Sequence, residues 1–137
     1  MKIIFVCTGN TCRSPLAETY AKTQFRNAGT AFESRGLMVF ADGISPLSKR
    51  IIEREGLEEP SLPRQLMRED TEEALLLVMT KAHKRAVKDQ FPNSDVRMLS
   101  EFSEGTVEDV IDPYGGSEAD YECAFRQLKK FIDKFRL

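Results

Sequence analysis

The stretch ALLLVMT, Ala74–Thr80, carries no charge and no alternation of apolar and polar residues. A strand with one wet face alternates, whereas a strand covered on both faces reads as an unbroken apolar run. This stretch therefore predicts a central strand of a parallel sheet. KIIFVC, Lys2–Cys7, is a second such run, rich in β-branched residues and ended by a Gly-Asn turn. FESRGLMVF (Phe32–Phe40) predicts a weaker second strand and DVRMLS (Asp95–Ser100) a fourth. Helical patterns lie between them. The first runs from Ser14 to about Asn27, with Ala17, Ala21 and Ala28 on one side, Leu16 and Tyr20 beside them, Pro15 in its first turn and Gly29 to stop it. SPLSKRIIEREG (Ser45–Gly56) has a Ser-Pro start and a glycine stop, and KAHKRAVKDQF (Lys81–Phe91) is closed by Pro92-Asn93. From Ser117 onward, Tyr121, Phe125, Leu128, Ile132 and Phe135 recur at helical spacing. Strand and helix alternate four times. That pattern predicts a three-layer α/β fold, a four-stranded parallel sheet with right-handed crossovers and helices on both faces.

A chain of 137 residues suits a single domain, 1–137, with one sizeable core. The formal net charge of -2 gives no global basic field, so no nucleic-acid partner is expected. No segment reaches the roughly 18 apolar residues that span a bilayer, so no membrane partner is expected. The apolar run at the amino terminus is too short for a secretory signal, and the expected start is Met1 in the cytoplasm. Three cysteines make an odd count, which argues for reduced thiols over a secreted disulfide framework.

In parallel α/β folds ligands sit beyond the carboxyl ends of the strands. Two segments fall there, the loop Thr8–Arg13 after the first strand and the long stretch Glu101–Gly116 after the fourth. In VCTGNTCRSP (Val6–Pro15), Gly9 and Asn10 tolerate positive φ, so the loop can curl with its N–H groups inward. Such a nest, backed by a helix N-terminus, binds a tetrahedral oxyanion. Arg13 adds a planar fork of donors for two phosphate oxygens. The same field favours thiolate over thiol at Cys7, and Ser14 can donate to that sulfur. A nucleophile beneath a bound phosphate suits transfer through phosphocysteine. A zinc clamp is disfavoured because Cys7 and Cys12 are poorly spaced as ligands and the chain has one histidine.

Cysteine, five residues, arginine and serine form the signature of cysteine-dependent phosphatases. VCTGNTCRSPLAE at the amino terminus resembles the low-molecular-weight protein tyrosine phosphatase family in particular. RQL (Arg64–Leu66) resembles the family's segment before the third strand. VMTKAHK (Val78–Lys84) resembles the end of that strand and the next helix, and IDPYGGS (Ile111–Ser117) resembles the general-acid loop. The resemblance covers nearly the whole chain and implies chemistry without metal or cofactor. It implies Cys7 as nucleophile, Arg13 as phosphate clamp and Asp112 as general acid and then base. Thr8, Gly9, Asn10, Thr11, Cys12, Arg13 and Ser14 are the implied phosphate cradle and Tyr114 the pocket wall. The implied partners are phosphorylated proteins, with inorganic phosphate as product, and the family's small members imply a monomer.

The family's commoner loop carries a bulky aliphatic residue where this chain has Thr11. Threonine keeps the β-branched shape but offers a hydroxyl in place of apolar packing against a phenyl ring. Thr11, together with Gly115-Gly116 after the acid loop's aromatic, resembles the bacterial protein-arginine phosphatase branch, whose substrate is phosphoarginine. The nearest alternative is a tyrosine phosphatase of the same family. Arsenate reductase needs relay cysteines after the third strand, and VMTKAHKRAV has none. A redox-sensing or phosphate-binding module without turnover has no use for Asp112. A Cys7–Cys12 disulfide remains open as a protective switch on the enzyme, with Cys12 as redox partner. Cys123 is expected in the core beside Ala124 and Phe125 or partly buried, and His83 as a structural or surface residue of its helix. Arg35 and Arg64 are expected as structural ion-pair residues. KRIIERE and MREDTEE are expected as solvated helix faces.

Overall fold

A computed structural model describes all residues, Met1–Leu137. Its sheet is built from β1 (Lys2–Cys7), β2 (Ala31–Gly36), β3 (Leu75–Val78) and β4 (Val96–Met98), in the order β2-β1-β3-β4. All three pairings are parallel, with Val6 opposite Arg35 on one side and Val78 on the other. The helices are α1 (Arg13–Gln24), α2 (Pro46–Glu55), α3 (Arg68–Glu73), α4 (Lys81–Gln90), α5 (Leu99–Glu104) and α6 (Glu118–Ile132).

The unbroken apolar runs of β1 and β3 are explained by two separate cores. Ile3, Phe5, Leu75 and Leu77 face one side, where they meet Leu16 and Ala21 of α1, Ile51 of α2 and Phe125, Leu128 and Phe131 of α6. Ile4, Val6, Leu76 and Val78 face the other side, against Val87 of α4 and Leu66. Each large apolar side chain among them contributes roughly 1.5–3 kcal/mol on burial. All five apolar positions expected in the final helical tail are buried, including Phe135 beyond the end of α6.

Element boundaries shift at several ends, and three of the shifts have a visible cause. The first helix ends at Gln24, and a turn with Ala28 N–H on Phe25 O leaves Ala28 exposed. The second strand ends at Gly36 instead of Phe40. There the chain peels off the sheet, with Leu37 N–H on Cys7 O and Met38 N–H on Thr8 O. The fourth strand stops at Met98 because Glu101 reaches back to accept Met98 N–H at 2.8 Å. That contact starts α5 inside what the apolar pattern reads as strand and as the following loop.

Cys123 is exposed, contrary to the expected core position. The buried face of α6 is set by Tyr121, Ala124, Phe125 and Leu128, and residue 123 projects from the opposite face. Arg35 is a buried ion-pair residue, with Glu33 at 2.6 Å and Asp70 at 3.2 Å. Arg64 forms no ion pair; its side chain is exposed, and it contributes backbone groups alone, its N–H to Asn10 Oδ1 and its carbonyl to Gly36 N–H. Arg50 and Arg54 of α2 reach Glu118 and Glu122 of α6, so KRIIERE pins one helix to another as well as facing solvent. No helix is long and apolar enough to cross a membrane.

Candidate active site

The carboxyl end of β1 delivers Cys7 into a pocket of about 160 Å³ lined by Cys7, Thr8, Gly9, Thr11, Cys12, Arg13, Phe40, Asp112 and Tyr114. The loop between β1 and α1 is held from outside by its carbonyls. Cys7 O accepts from Leu37 N, Thr8 O from Met38 N, and Thr11 O from Ser45 N, at 2.8–3.0 Å. Cys12 O accepts from Ser48 Oγ at 3.3 Å. None of the N–H groups of Thr8 through Cys12 donates to a backbone carbonyl. Alpha-helix α1 begins without a side-chain cap and without an acidic residue in its first turn. Unpartnered N–H groups and an uncapped helix start favour an anion.

Of the two residues expected to curl the loop, Asn10 alone takes positive φ, at 58°. Its side chain is fully buried and stabilises that conformation. Asn10 Oδ1 accepts Arg64 N–H at 2.9 Å, and Nδ2 donates to Ser14 Oγ at 2.8 Å and to Ser34 Oγ at 2.9 Å. Ser34 Oγ donates to the buried Glu18 carboxylate at 2.5 Å, which also takes Ser61 Oγ at 2.8 Å and Lys22 Nζ at 2.5 Å. Ser14 Oγ lies 2.9 Å from Cys7 Sγ. Gly36 at the end of β2 makes this approach possible. A Cβ there would lie 2.9 Å from Thr8 O and 3.0 Å from Asn10 Cβ.

Arg13 is buried at the pocket floor. Its Nη1 donates to Val110 O at 3.1 Å, and its Nη2 lies 3.6 Å from Asp112 Oδ2. Asp112 is 57% exposed, and its Oδ1 accepts Tyr114 N–H at 3.1 Å, which turns the carboxylate toward the pocket mouth. Cys12 Sγ lies 3.3 Å from Tyr121 OH, and burial raises the pKa of that phenol, with the Cys12 contact adding to it. Thr11 Oγ1 is 3.6 Å from Cys12 Sγ. All residues expected at the site converge on this end of the sheet. Glu18, Ser34, Gly36 and Phe40 belong to its surroundings and were not among them. Glu18 sits one turn after Ser14 on α1, a spacing that the sequence shows but does not explain. Phe40 arrives only because β2 ends early. His83 is buried, which fits the structural alternative of its expectation and not the surface one.

The model of the low molecular weight phosphotyrosine protein phosphatase family matches residues 2–136. The chain belongs to this family. It is accordingly a cysteine-based protein phosphatase. It is 39% identical over 138 residues to the low molecular weight protein-tyrosine-phosphatase PtpB of Staphylococcus haemolyticus, covering 99% of this chain and 98% of that one. Among solved structures it is similar to the YwlE arginine phosphatase of Geobacillus stearothermophilus, with a TM-score of 0.92 and 33% identity over 97% of this chain and 88% of that one. A YwlE mutant with a phosphorylated active-site serine superposes with a TM-score of 0.92 at 32% identity, covering 98% of this chain and 92% of that one. The fold and the cysteine-based chemistry of the phosphatase are thus common to relatives named for two different phosphoamino acids.

Proposed function

We propose that this phosphatase removes phosphate from phosphoarginine in proteins, as a monomeric single-domain enzyme, 1–137, that needs no metal or cofactor. Cys7 thiolate attacks phosphorus while Thr8–Cys12 N–H groups and the Arg13 fork take the phosphoryl oxygens. The P–N bond breaks, and Asp112 gives its proton to the leaving guanidine nitrogen. Asp112, now a carboxylate, takes a proton from water as the water oxygen attacks phosphocysteine. The S–P bond breaks, Ser14 donates to the returning thiolate, and inorganic phosphate leaves. Ser14 and Asn10 donate in sequence toward the sulfur, and Ser34, with Glu18 as its acceptor, completes the hydrogen-bond chain behind them.

The observation that carries the arginine reading is Thr11 in the pocket wall. A guanidinium leaving group needs polar neighbours, and Thr11 and Asp112 supply a hydroxyl and a carboxylate where an aliphatic residue would pack on a phenyl ring. The likeness to YwlE arginine phosphatases supports the same reading. One observation favours phosphotyrosine instead. Phe40 and Tyr114 stand exposed at the pocket mouth as two aromatic walls, and the PtpB relatives are named as tyrosine phosphatases. The experiment compares hydrolysis of phosphoarginine and phosphotyrosine peptides by wild type and by Thr11→Ile. The arginine reading expects a preference for phosphoarginine that the substitution moves toward phosphotyrosine. A wild-type preference for phosphotyrosine, unaffected by Thr11→Ile, contradicts it.

Free thiols at Cys7, Cys12 and Cys123 and a thiolate mechanism suit a reducing compartment, and the proposed location is the cytoplasm. Under oxidant, a Cys7–Cys12 disulfide would hold the enzyme off reversibly. Cys7 and Cys12 both line the pocket, which supports that regulation.

A further inference from the structure

The turn between β3 and α4 carries a buried side-chain nitrogen with no partner, His83 Nδ1. His83 is 7% exposed, and Thr80 Oγ1 accepts its backbone N–H at 3.0 Å as the cap of α4. The other ring nitrogen, Nε2, lies 2.9 Å from Thr8 Oγ1. Burial first, then the Arg13 charge, pushes the His83 pKa down to about 4 against the pull of Asp112 and Asp109, so the ring is neutral near pH 7. A neutral imidazole has one N–H. On Nδ1 it would be a buried donor without an acceptor, and orphaned buried N–H groups are rarer than orphaned acceptors. The proton therefore belongs on Nε2, which donates to Thr8 Oγ1.

The same turn also grips the acid-bearing segment. Val110 N–H donates to Met79 O at 2.8 Å, Lys81 N–H donates to Asp109 Oδ1 at 2.9 Å, and Val110 O in turn receives Arg13 Nη1 at 3.1 Å. The start of α4 thus touches both halves of the pocket, the loop through Thr8 and the Asp112 segment through Asp109 and Val110.

We propose that His83 is a positioning residue whose Nε2–H fixes the Thr8 end of the phosphate loop against the turn that anchors residues 109–112. This rests on the reading that Thr8–Arg13 holds the transferred phosphoryl group. The hydrogen bond acts on the loop and not on the proton donor, so its loss weakens phosphate binding and slows good and poor leaving groups alike.

The test measures the inhibition constant for inorganic phosphate, kcat/KM for aryl phosphates of graded leaving-group strength, and Tm. The variants are His83→Leu, which fills the space without a donor, and His83→Gln, whose amide reaches the Nε2 position. His83→Leu is expected to raise the phosphate inhibition constant by about tenfold and lower kcat/KM by about the same factor across all leaving groups. His83→Gln is expected to recover to within about threefold of wild type. The double variant Thr8→Val with His83→Leu is expected to be no worse than His83→Leu alone. An unchanged inhibition constant in His83→Leu overturns the proposal. So does a folded His83→Gln as impaired as His83→Leu, or additive losses in the double variant. Should His83→Leu not fold, Thr8→Val must show the same loss and Thr8→Ser must restore it, and an unaffected Thr8→Val overturns the proposal. If phosphate does not inhibit the wild type, the reading of the loop falls too. If phosphate inhibits wild type and His83→Leu equally, the His83 role alone falls.

Discussion

Ser14 Oγ sits 2.9 Å from Cys7 Sγ and 2.8 Å from Asn10 Nδ2, and the second contact sets the direction of the first. A carboxylate only accepts, so Glu18 takes the Ser34 proton. Ser34 Oγ then accepts from Asn10, as does Ser14 Oγ. Ser14 keeps its own proton for the sulfur. A buried charge on α1 thereby orients a hydroxyl toward the nucleophile through two intervening side chains, Ser34 and Asn10.

Ser14→Ala removes that donor. Hydrogen bonds to charged groups contribute about 1.5–3 kcal/mol, so kcat is expected to fall by roughly 10- to 100-fold. Alkylation of Cys7 by iodoacetate at neutral pH is expected to slow as well. Steady-state kinetics and timed alkylation check both, and unchanged rates would remove Ser14 from the mechanism.

Glu18→Gln tests the direction of the chain. An amide nitrogen facing Ser34 donates to Ser34 Oγ and so competes there with Asn10 Nδ2 for the same acceptor. The expected outcome is a loss of about tenfold in kcat together with a lower Tm, because Lys22 loses the negative charge it pairs with. Full activity in a folded Glu18→Gln would show that the carboxylate does not orient Ser14.

Gly36→Ala places a methyl 2.6 Å from Val39 Cγ2 and 2.9 Å from Thr8 O. Overpacking of this kind costs roughly 1–3 kcal/mol, and the strain falls on the loop carbonyl. Chemical denaturation is expected to show that loss, and phosphate inhibition to weaken with it.

His83 gives the fold a pH dependence of determined sign. Its pKa is lowered from 6.5 to about 4 by burial first and by Arg13 next. Between those values the unfolded chain binds the proton and the folded one does not, so stability is full above pH 6.5 and falls as pH drops toward 4. The loss is on the order of 3 kcal/mol at the acid end of the window. Urea unfolding at the two ends, compared with His83→Gln, isolates this contribution. The same slope in both proteins would assign it to other groups.

The four-stranded parallel sheet and the loop chemistry were legible in the sequence because their signals are local. Unbroken apolar runs declare both faces covered, and a cysteine, a curled loop and an arginine at a helix start need no distant partner to be read. Glu18, Ser34 and Gly36 were not legible. Their roles depend on β2 lying beside β1 in register, which places Gly36 opposite Cys7 and Ser34 opposite Phe5. The burial of His83 likewise depends on α4 starting next to the loop, and the exposure of Cys123 on the rotation of α6 about its axis.

Regulation is tested by Cys12→Ser. Peroxide inactivation of wild type is expected to be reversed by a dithiol, and inactivation of Cys12→Ser to be irreversible, since Cys7 then oxidises beyond the sulfenic acid. Equal rescue of both proteins would count against a Cys7–Cys12 disulfide.

The central claim is that phosphate passes through Cys7 sulfur. The most direct measurement is peptide mass spectrometry of acid-quenched turnover with a good leaving group, using Asp112→Ala to slow hydrolysis of the intermediate. A phosphate adduct confined to the peptide containing Cys7, with the adduct absent from Cys7→Ala and turnover abolished in Cys7→Ser, is the expected result. An adduct elsewhere, or turnover by Cys7→Ser, would contradict it.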